Sequence, residues 1–493
     1  MPRFHDLDKD VLAQILGSCD IYTVLLFQRI NKSFRRLALS KQLWISLVLD
    51  LSSRYLILHL HPIHTYTTTQ LIAKVKSVVC GPETWLERSS VSPAIFSRRT
   101  ILGEETYWSG FKLISGGRYF AIYNESAGDL QCFDALTGRC VWTRPETPNS
   151  WRVDMLHNGH TVNFLLLLRA GLSIVQLDLT TGHSDDVYHL DLHTDTRYWN
   201  YSLFGDLLVL NFYHDRSADT RLNRDLVIDW REAVYVIFES PEIPNTYHHV
   251  EFVPGHIIFS PPAVEAPHDR LILVYALSSV ASRWRPTTEL KLHSTDVLSA
   301  HCIRLPEDMP PVVVERLEHK NRVFRNVPDI DTWTGSSLQV QMLVYPNPIR
   351  DNVYRLAVYA STLRSEEPSL RESFRQRLHH PTGPIRAIGA TLFTYQLILG
   401  GPKLRWTRAP VISNVPEVIA GWTYAGYGLD WDCKIVGTCS PSGFIRKLRG
   451  QTVRDVVPQD ERLGPTERRR TRLSSNGVVF THGQKWIDIV CYL

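Results

Sequence analysis

The chain has little of what most enzyme and secretory classes require. Its eight cysteines are scattered and none forms a C-x-x-C pair, so the spacing of a structural zinc site is missing. Disulfide frameworks belong mainly to small secreted domains, and 493 residues with scattered cysteines do not fit one. A reducing cytosolic or nuclear setting is expected. No apolar run approaches the ~20 residues that span a bilayer; "FLLLL" at 164–168 is among the longest. Asp6, Asp8 and Asp10 precede the first run of apolar residues, which is unlike a signal peptide. A net charge of only +4 lacks the basic stripe of a nucleic-acid binder. No G-x-S-x-G occurs, and no nucleophile sits beside an evident base. An enzyme is therefore not expected, nor is any cofactor.

What is present begins with helix spacing. Val11, Leu12, Ile15, Leu16 and Cys19 repeat as one face of a helix, with Asp6 or Asp8 as its cap. Asp20 can cap a second helix carrying Val24 and Leu25, and Asn31 a third, "KSFRRLAL". Ser40 then opens a last turn with Leu43, Trp44 and Leu47. After an irregular stretch, Leu71, Ile72, Val75, Val78 and Val79 form another helical face, closed by Gly81-Pro82. Trp85 is expected to anchor this linker on the β region C-terminal to it.

From about residue 100 the apolar period changes from 3.6 to 2, and short strands separated by turn residues run to "WIDIVCYL" at the end. A weak repeat runs through them. "LQCFDALTGRCVW" and "LSIVQLDLTTGHSDDV" each read strand, Asp, Thr-Gly turn, strand, and Asp134 and Asp178 are 44 residues apart. "LVIDWREAVYVIF" places Asp229 a further 51 residues on, and "LILVYALSS" places Tyr275 another 46 on. Propeller blades of four strands recur every ~40–50 residues, so about six to eight blades fit the remaining length. The repeat lacks a regular Gly-His…Trp-Asp signature, and an irregular pair of β-sandwiches is the alternative. The fold class expected is α+β multidomain: a small helical module over 1–50, a helical linker over 51–100, and a mostly-β, propeller-like domain over 101–493.

"DLDKDVLAQILGSCDIYTVLLFQRINKSFRRLALSKQLWISL" resembles the F-box. Leu7 stands at its start, followed by Val11, Leu12, Ile15 and Leu16, then Asp20, Leu25, Leu26 and Ile30-Asn31-Lys32, and finally Phe34, Arg35, Leu37 and Leu43-Trp44. Asp8 stands where that family usually has proline, and Asp is itself a good cap. The match covers roughly residues 4–50; beyond it the β region is similar, more loosely, to fungal F-box proteins with propeller-like C-terminal regions. The resemblance implies docking on a Skp1-type adaptor of a cullin–RING ubiquitin ligase, through Leu7, Val11, Leu12, Ile15, Leu16, Leu25, Ile30, Leu37, Leu43 and Trp44. The alternative is that Val11, Leu12 and Leu37 belong to a private core.

Other clusters carry less. His59, His61 and His64 lack an acidic or cysteine partner nearby, and Pro62 breaks any helix that would align them. His189 and His193 lie in a strand-like stretch and read as surface groups. "SGG" at 115–117 and "GYGLDWD" at 426–432 read as turns rather than phosphate loops. The basic stretch 461–477, with Arg462, Arg468, Arg469, Arg470 and Arg472, is expected to be a loop between late strands. It is either solvated, or a contact for an acidic or phosphorylated client, or a nuclear import signal. The expected role is that of a substrate receptor for an unknown protein client, without nucleic-acid or membrane partners. A scaffold that does not support ubiquitin transfer is the rival, and an enzyme with its site in the propeller mouth the third reading.

Overall fold

The computed structural model describes residues 8–19, 21–53, 57, 62–80, 95–102, 108–114, 116–156, 159–168, 171–191, 197–213, 223–240, 249–261, 270–290, 301–305, 308–317, 338–347, 352–362, 390–399, 404–409, 411–415, 427–429, 435–437, 470–474, 478–482 and 486–492. Among the described residues five helices come first: α1 Lys9–Gly17, α2 Ile21–Phe27, α3 Lys32–Ala38, α4 Lys41–Ser53 and α5 Thr68–Cys80. Local chemistry sets their starts. Asp8 Oδ1 accepts from the Asp10 amide, and Asn31 Oδ1 from the Phe34 amide at 2.8 Å. At α5 the Gln70 amide donates to Thr67 Oγ1 while the Thr67 amide donates to Gln70 Oε1, a reciprocal cap.

The turn expected after Ser40 is instead a helix of 13 residues, whose sequence KQLWISLVLDLSS holds no glycine or proline to interrupt it. One core joins Leu16, Val24, Trp44 and Val48 to Leu71, Val75 and Val78. A boundary at residue 50 therefore falls inside α4 and cuts a single core, and α5 belongs to the module. Trp44 is fully buried, and its indole Nε1 donates to the Ala38 carbonyl at 2.7 Å. Trp85 lies outside the described residues.

The strands begin with β1 Ile95–Leu102, slightly before the expected change of period, because Arg98-Arg99-Thr100 interrupts its alternation. Sheet I is an antiparallel meander of β2 Trp108–Leu113, β3 Tyr119–Asn124, β4 Asp129–Asp134 and β5 Cys140–Arg144. Sheet II repeats it with β6 Ser150–Met155, β7 Thr161–Leu167, β8 Gly171–Asp178 and β9 Ser184–Asp191. Sheet III runs β10 Arg197–Phe204, β11 Leu207–Tyr213, β12 Asn223–Asp229 and β13 Val234–Ser240. Sheet IV is β14 Val250–Val253, β15 His256–Phe259, β16 Arg270–Ala276 and β19 Val313–Leu317; the short β17 Arg285–Pro286 and β18 Cys302–Arg304 pair instead with β13. Sheet V is β20 Leu338–Pro346, β21 Val353–Thr362, β22 Ala390–Ile398 and β23 Arg405–Arg408, with β24 Ile412–Val415 also on β22. A hairpin pairs β25 Tyr427–Leu429 with β26 Ile435–Gly437, so part of "GYGLDWD" is strand rather than turn.

Sheet VI takes β27 Arg470–Leu473, β28 Val479–His482 and β29 Trp486–Tyr492 from the end of the chain, and its fourth strand is β1. Seven register pairs, from Ile95↔Tyr492 to Leu102↔Trp486, join β1 to β29. The strand expected in "WIDIVCYL" is therefore an interior strand of its sheet, with Ile487 and Ile489 buried.

The chain divides into two compact units, the first of Met1–His189, Pro346–Val353 and Val418–Leu493, the second of Leu190–Tyr345 and Tyr354–Glu417. In the first, sheet I packs on sheet II through Trp142, Trp151 and Phe164, and on sheet VI through Phe120, Phe480 and Ile487. In the second, sheet III packs on sheet IV through Phe238 and Phe259, and sheet IV on sheet V through Ile272 and Phe393. Small antiparallel sheets of mostly four strands, packed on one another within each unit, give a mostly-β, propeller-like region behind a short helical N-terminal module.

The weak repeat now has a physical origin. Asp134, Asp178 and Asp229 each end the third strand of a sheet, β4, β8 and β12. Each carboxylate accepts the next turn's amides: Leu136 and Thr137 at 2.8 and 3.3 Å, Thr180 and Thr181 at 2.7 and 3.2 Å, Arg231 and Glu232 at 3.2 and 3.0 Å. Tyr275 departs from this pattern. It lies within β16, again a third strand, but its side chain is buried between sheets, and the helical turn Leu277–Arg283 replaces the hairpin.

Candidate protein-docking face of the helical module

The residues expected to dock an adaptor divide into two sets. Leu12 and Leu16 are 6% and 2% exposed, and Leu43 and Trp44 are equally buried. These four are interior residues of the module. On α1, Val11 and Ile15 are 42% and 37% exposed. They are four residues apart, so they stand one above the other on the helix, beside the stripe of Leu12 and Leu16 that enters the core. Ile30 is the most exposed of the expected set at 59%, whereas Leu25 and Leu37 pack half-buried against the core. Leu7 lies outside the described residues.

Three exposed aliphatics join this set: Leu26 on α2, Leu39 at the end of α3 and Leu49 on α4. Leu26 is visible in the match, but a leucine pair on a helix does not reveal which member faces inward. Leu39 follows the last helical residue, where periodicity gives no guidance. Phe27 and Phe34 meet edge to face at 5.5 Å and fix α2 against α3. The exposed aliphatics therefore sit on helices whose relative placement is set by a core. Covering an aliphatic side chain of this kind stabilises by roughly 1.5–3 kcal/mol when burial is complete, so such a face favours a partner.

The other candidates are less convergent. Arg462, Arg468 and Arg469 lie outside the described residues. Arg470 and Arg472 lie on β27, opposite His482 and Phe480, so the expected loop has already become a strand by residue 470. His59, His61 and His193 also lie outside the described residues, and His64 belongs to a short helical turn. His189 is exposed on β9, its Nδ1 3.0 Å from Ser173 Oγ. Among the described residues no His, Cys, Asp or Glu cluster has metal-binding geometry, and no helix is long and apolar enough to cross a membrane. Cys132 and Cys140 are free thiols, and burial pushes the Cys132 thiol far above its usual value.

One buried ionisable group is not evident from the sequence. Asp225 on β12 is fully buried and accepts only from Asn211 Nδ2, at 2.8 Å, while its Oδ2 has no partner. Desolvation raises its pKa to about 7, against the opposing effect of the Asn211 bond. Its place in "RDLVID" shows an acid amid aliphatics, but alternation alone does not say that both faces of β12 are covered.

No family model matches the sequence, and no curated protein does. Solved structures give distant likenesses. The chain is similar to the β-propeller domain of Cps50 (Swd1) from Myceliophteria thermophila, at 10% identity and a TM-score of 0.42, over 81% of this chain and 99% of that one. It is similar to an oligogalacturonate lyase in complex with manganese at 10% identity and 0.41, over 82% and 98% of the two chains. The WD40 domain of SCAP from fission yeast is similar at 9% identity and 0.32, over 83% and 98%.

Proposed function

We propose that the chain is the substrate-recognition subunit of a Skp1–cullin–F-box ubiquitin ligase, acting in the cytosol or nucleus. The helical module docks a Skp1-type adaptor, and the β region, a degenerate β-propeller, holds a protein client. The observation that carries the proposal is the pairing on α1 of a buried stripe, Leu12 and Leu16, with an exposed one, Val11 and Ile15. The first stripe folds the module and the second is left for a partner. The receptor makes and breaks no bond. It raises the client's effective concentration beside the ubiquitin-carrying enzyme. The client contact includes the segment from Arg462 through Arg468, Arg469, Arg470 and Arg472, whose guanidinium groups suit carboxylate or phosphate.

Calorimetry of the full chain with a Skp1-type adaptor tests the docking half. Wild type is expected to bind, and V11E/I15E to lose about tenfold or more in affinity with an unchanged melting temperature, since both changes are at exposed positions. Absence of wild-type binding, or equal binding by the variant, overturns the proposal. For the client half, proteins captured by wild type and by R468E/R469E/R470E are compared by mass spectrometry; identical sets remove the arginine segment from the client site.

A further inference from the structure

The charge of the docking face is as uneven as its polarity. Residues 21–49 contain Arg29, Lys32, Arg35, Arg36 and Lys41 and not one Asp or Glu. All five cations are exposed. Lys41 donates its Nζ to the His64 carbonyl at 2.8 Å. Arg29, Lys32, Arg35 and Arg36 form no ion pair among the described residues. Elsewhere in the chain exposed arginines are often paired, as Arg231 is with Asp206 at 2.6 Å and Arg285 with Glu289 at 3.5 Å. The described carboxylates of the module, Asp8, Asp10 and Asp50, lie at the start of α1 and within α4.

The spacing works against the module's own stability. Lys32, Arg35 and Arg36 stand at i, i+3 and i+4 on α3, where like charges are neighbours and repel. Arg35 and Arg36 do complement the helix C-terminus, but Lys32 in the first turn and Arg29 before the helix are on the unfavourable side of the dipole. Exposed Ile30 lies between Arg29 and Lys32 in sequence, and exposed Leu39 three residues beyond Arg36. Aliphatics and cations are thus interleaved along one acid-free segment.

We infer that Arg29, Lys32, Arg35 and Arg36 form a cationic rim to the apolar docking face, and that the rim selects a protein partner whose apolar groove is edged by carboxylates. The inference rests on the docking proposal and adds the partner's charge. The exposed aliphatics are spread over α1, α2, the end of α3 and α4 rather than along one amphipathic helix, which suits a shaped protein groove better than a flat lipid surface. Across such an interface, opposite charges raise the association rate and penalise partners of the wrong sign. Arg29 and Arg36 lie outside the residues that carry the F-box resemblance, so they are the side chains to vary.

The test uses the full chain, a Skp1-type adaptor as probe, and calorimetry from about 50 to about 500 mM NaCl, a range over which exposed charges become screened. Wild-type affinity is expected to fall about tenfold or more across that range. R29E/R36E is expected to bind about tenfold more weakly at low salt, with a flattened salt dependence and a melting temperature that holds or rises as the repulsion on α3 is relieved. Salt-independent wild-type binding, matched by R29E/R36E, overturns the rim and leaves the docking proposal standing. The same samples are sedimented with vesicles of phosphatidylserine and phosphatidylcholine. Vesicle binding without adaptor binding assigns the cations to an anionic lipid surface and overturns both readings, and binding to neither probe overturns both as well.

Discussion

Gly182 sits directly against the backbone of Val141: a Cβ at position 182 would lie 2.4 Å from the Val141 carbonyl oxygen. Gly182 has φ +77° and ends the Asp178 turn of sheet II, while Val141 belongs to the outer strand of sheet I. The Asp134 turn repeats the arrangement one sheet earlier. Its Gly138 has φ +73° and faces Arg99 of β1, whose Nη1 donates to the Thr137 carbonyl at 2.7 Å. The Asp–Thr–Gly repeat is therefore the latch by which a third-strand turn in the first unit seats on the outer strand of the preceding sheet.

Gly182→Ala combines a left-handed backbone with a backbone clash, and a loss of about 2 kcal/mol or more is expected. Gly255 provides the control. Its φ is +73° but nothing lies within 4 Å of a Cβ there, so Gly255→Ala is expected to cost only the backbone penalty, about 1 kcal/mol. Equal losses in urea unfolding would show that the contact with Val141 does not matter.

At the third copy the equivalent residue is Ala233, four beyond Asp229, and it holds φ +53° without being glycine. Ala233→Gly removes that strain and is expected to stabilise by up to about 1 kcal/mol. A lower unfolding midpoint in the variant would contradict this reading of the turn.

Asp225 gives the chain a pH signature. Its folded pKa of about 7 lies above the ordinary carboxylate value of 3.8, so the folded state holds the proton more tightly than the unfolded one. Its contribution to stability is complete below about pH 4, declines as pH rises toward 7, and is lost above that. Asp225→Asn is expected to flatten this decline and to melt higher than wild type at pH 8. Parallel melting-temperature profiles for the two proteins between pH 4 and 8 would refute the assignment.

Sheet VI depends on the last strand. β29 pairs with both β1 and β28, and its Ile487 is fully buried against sheet I. Removal of residues 484–493 strips β1 and β28 of their shared partner and leaves open edges prone to aggregation. Loss of the cooperative unfolding transition, or aggregation, is expected on heating. A truncated protein with the wild-type melting temperature would show that the sheet does not need β29.

The parts of the structure legible in the sequence are those governed by short-range chemistry. Asn31 and Asp8 announce helix starts because an oxygen-bearing side chain beside free amides has one common use. The Asp134, Asp178 and Asp229 turns are legible for the same reason. Coverage is what a sequence conveys poorly. Leu12 and Val11 are equally apolar neighbours on α1, yet only Leu12 enters the core, and nothing local to either residue decides it. The same holds for Asp225, where a carboxylate on a strand reads as an outward group although the residues on both faces of β12 are buried. β1 is hard to read locally because its partner, β29, lies at the other end of the chain, and the boundary at residue 50 fails because the contact between α4 and α5 is tertiary.

Hydrogen–deuterium exchange of the full chain with and without a Skp1-type adaptor tests the docking claim most directly, because it reports where a partner sits as well as whether it binds. The account expects added protection confined to α1, α2 and α3, around Val11, Ile15, Leu26, Ile30 and Leu39, with the amides of β2–β29 unchanged. Protection that is absent, or that falls only on the sheets, would contradict it.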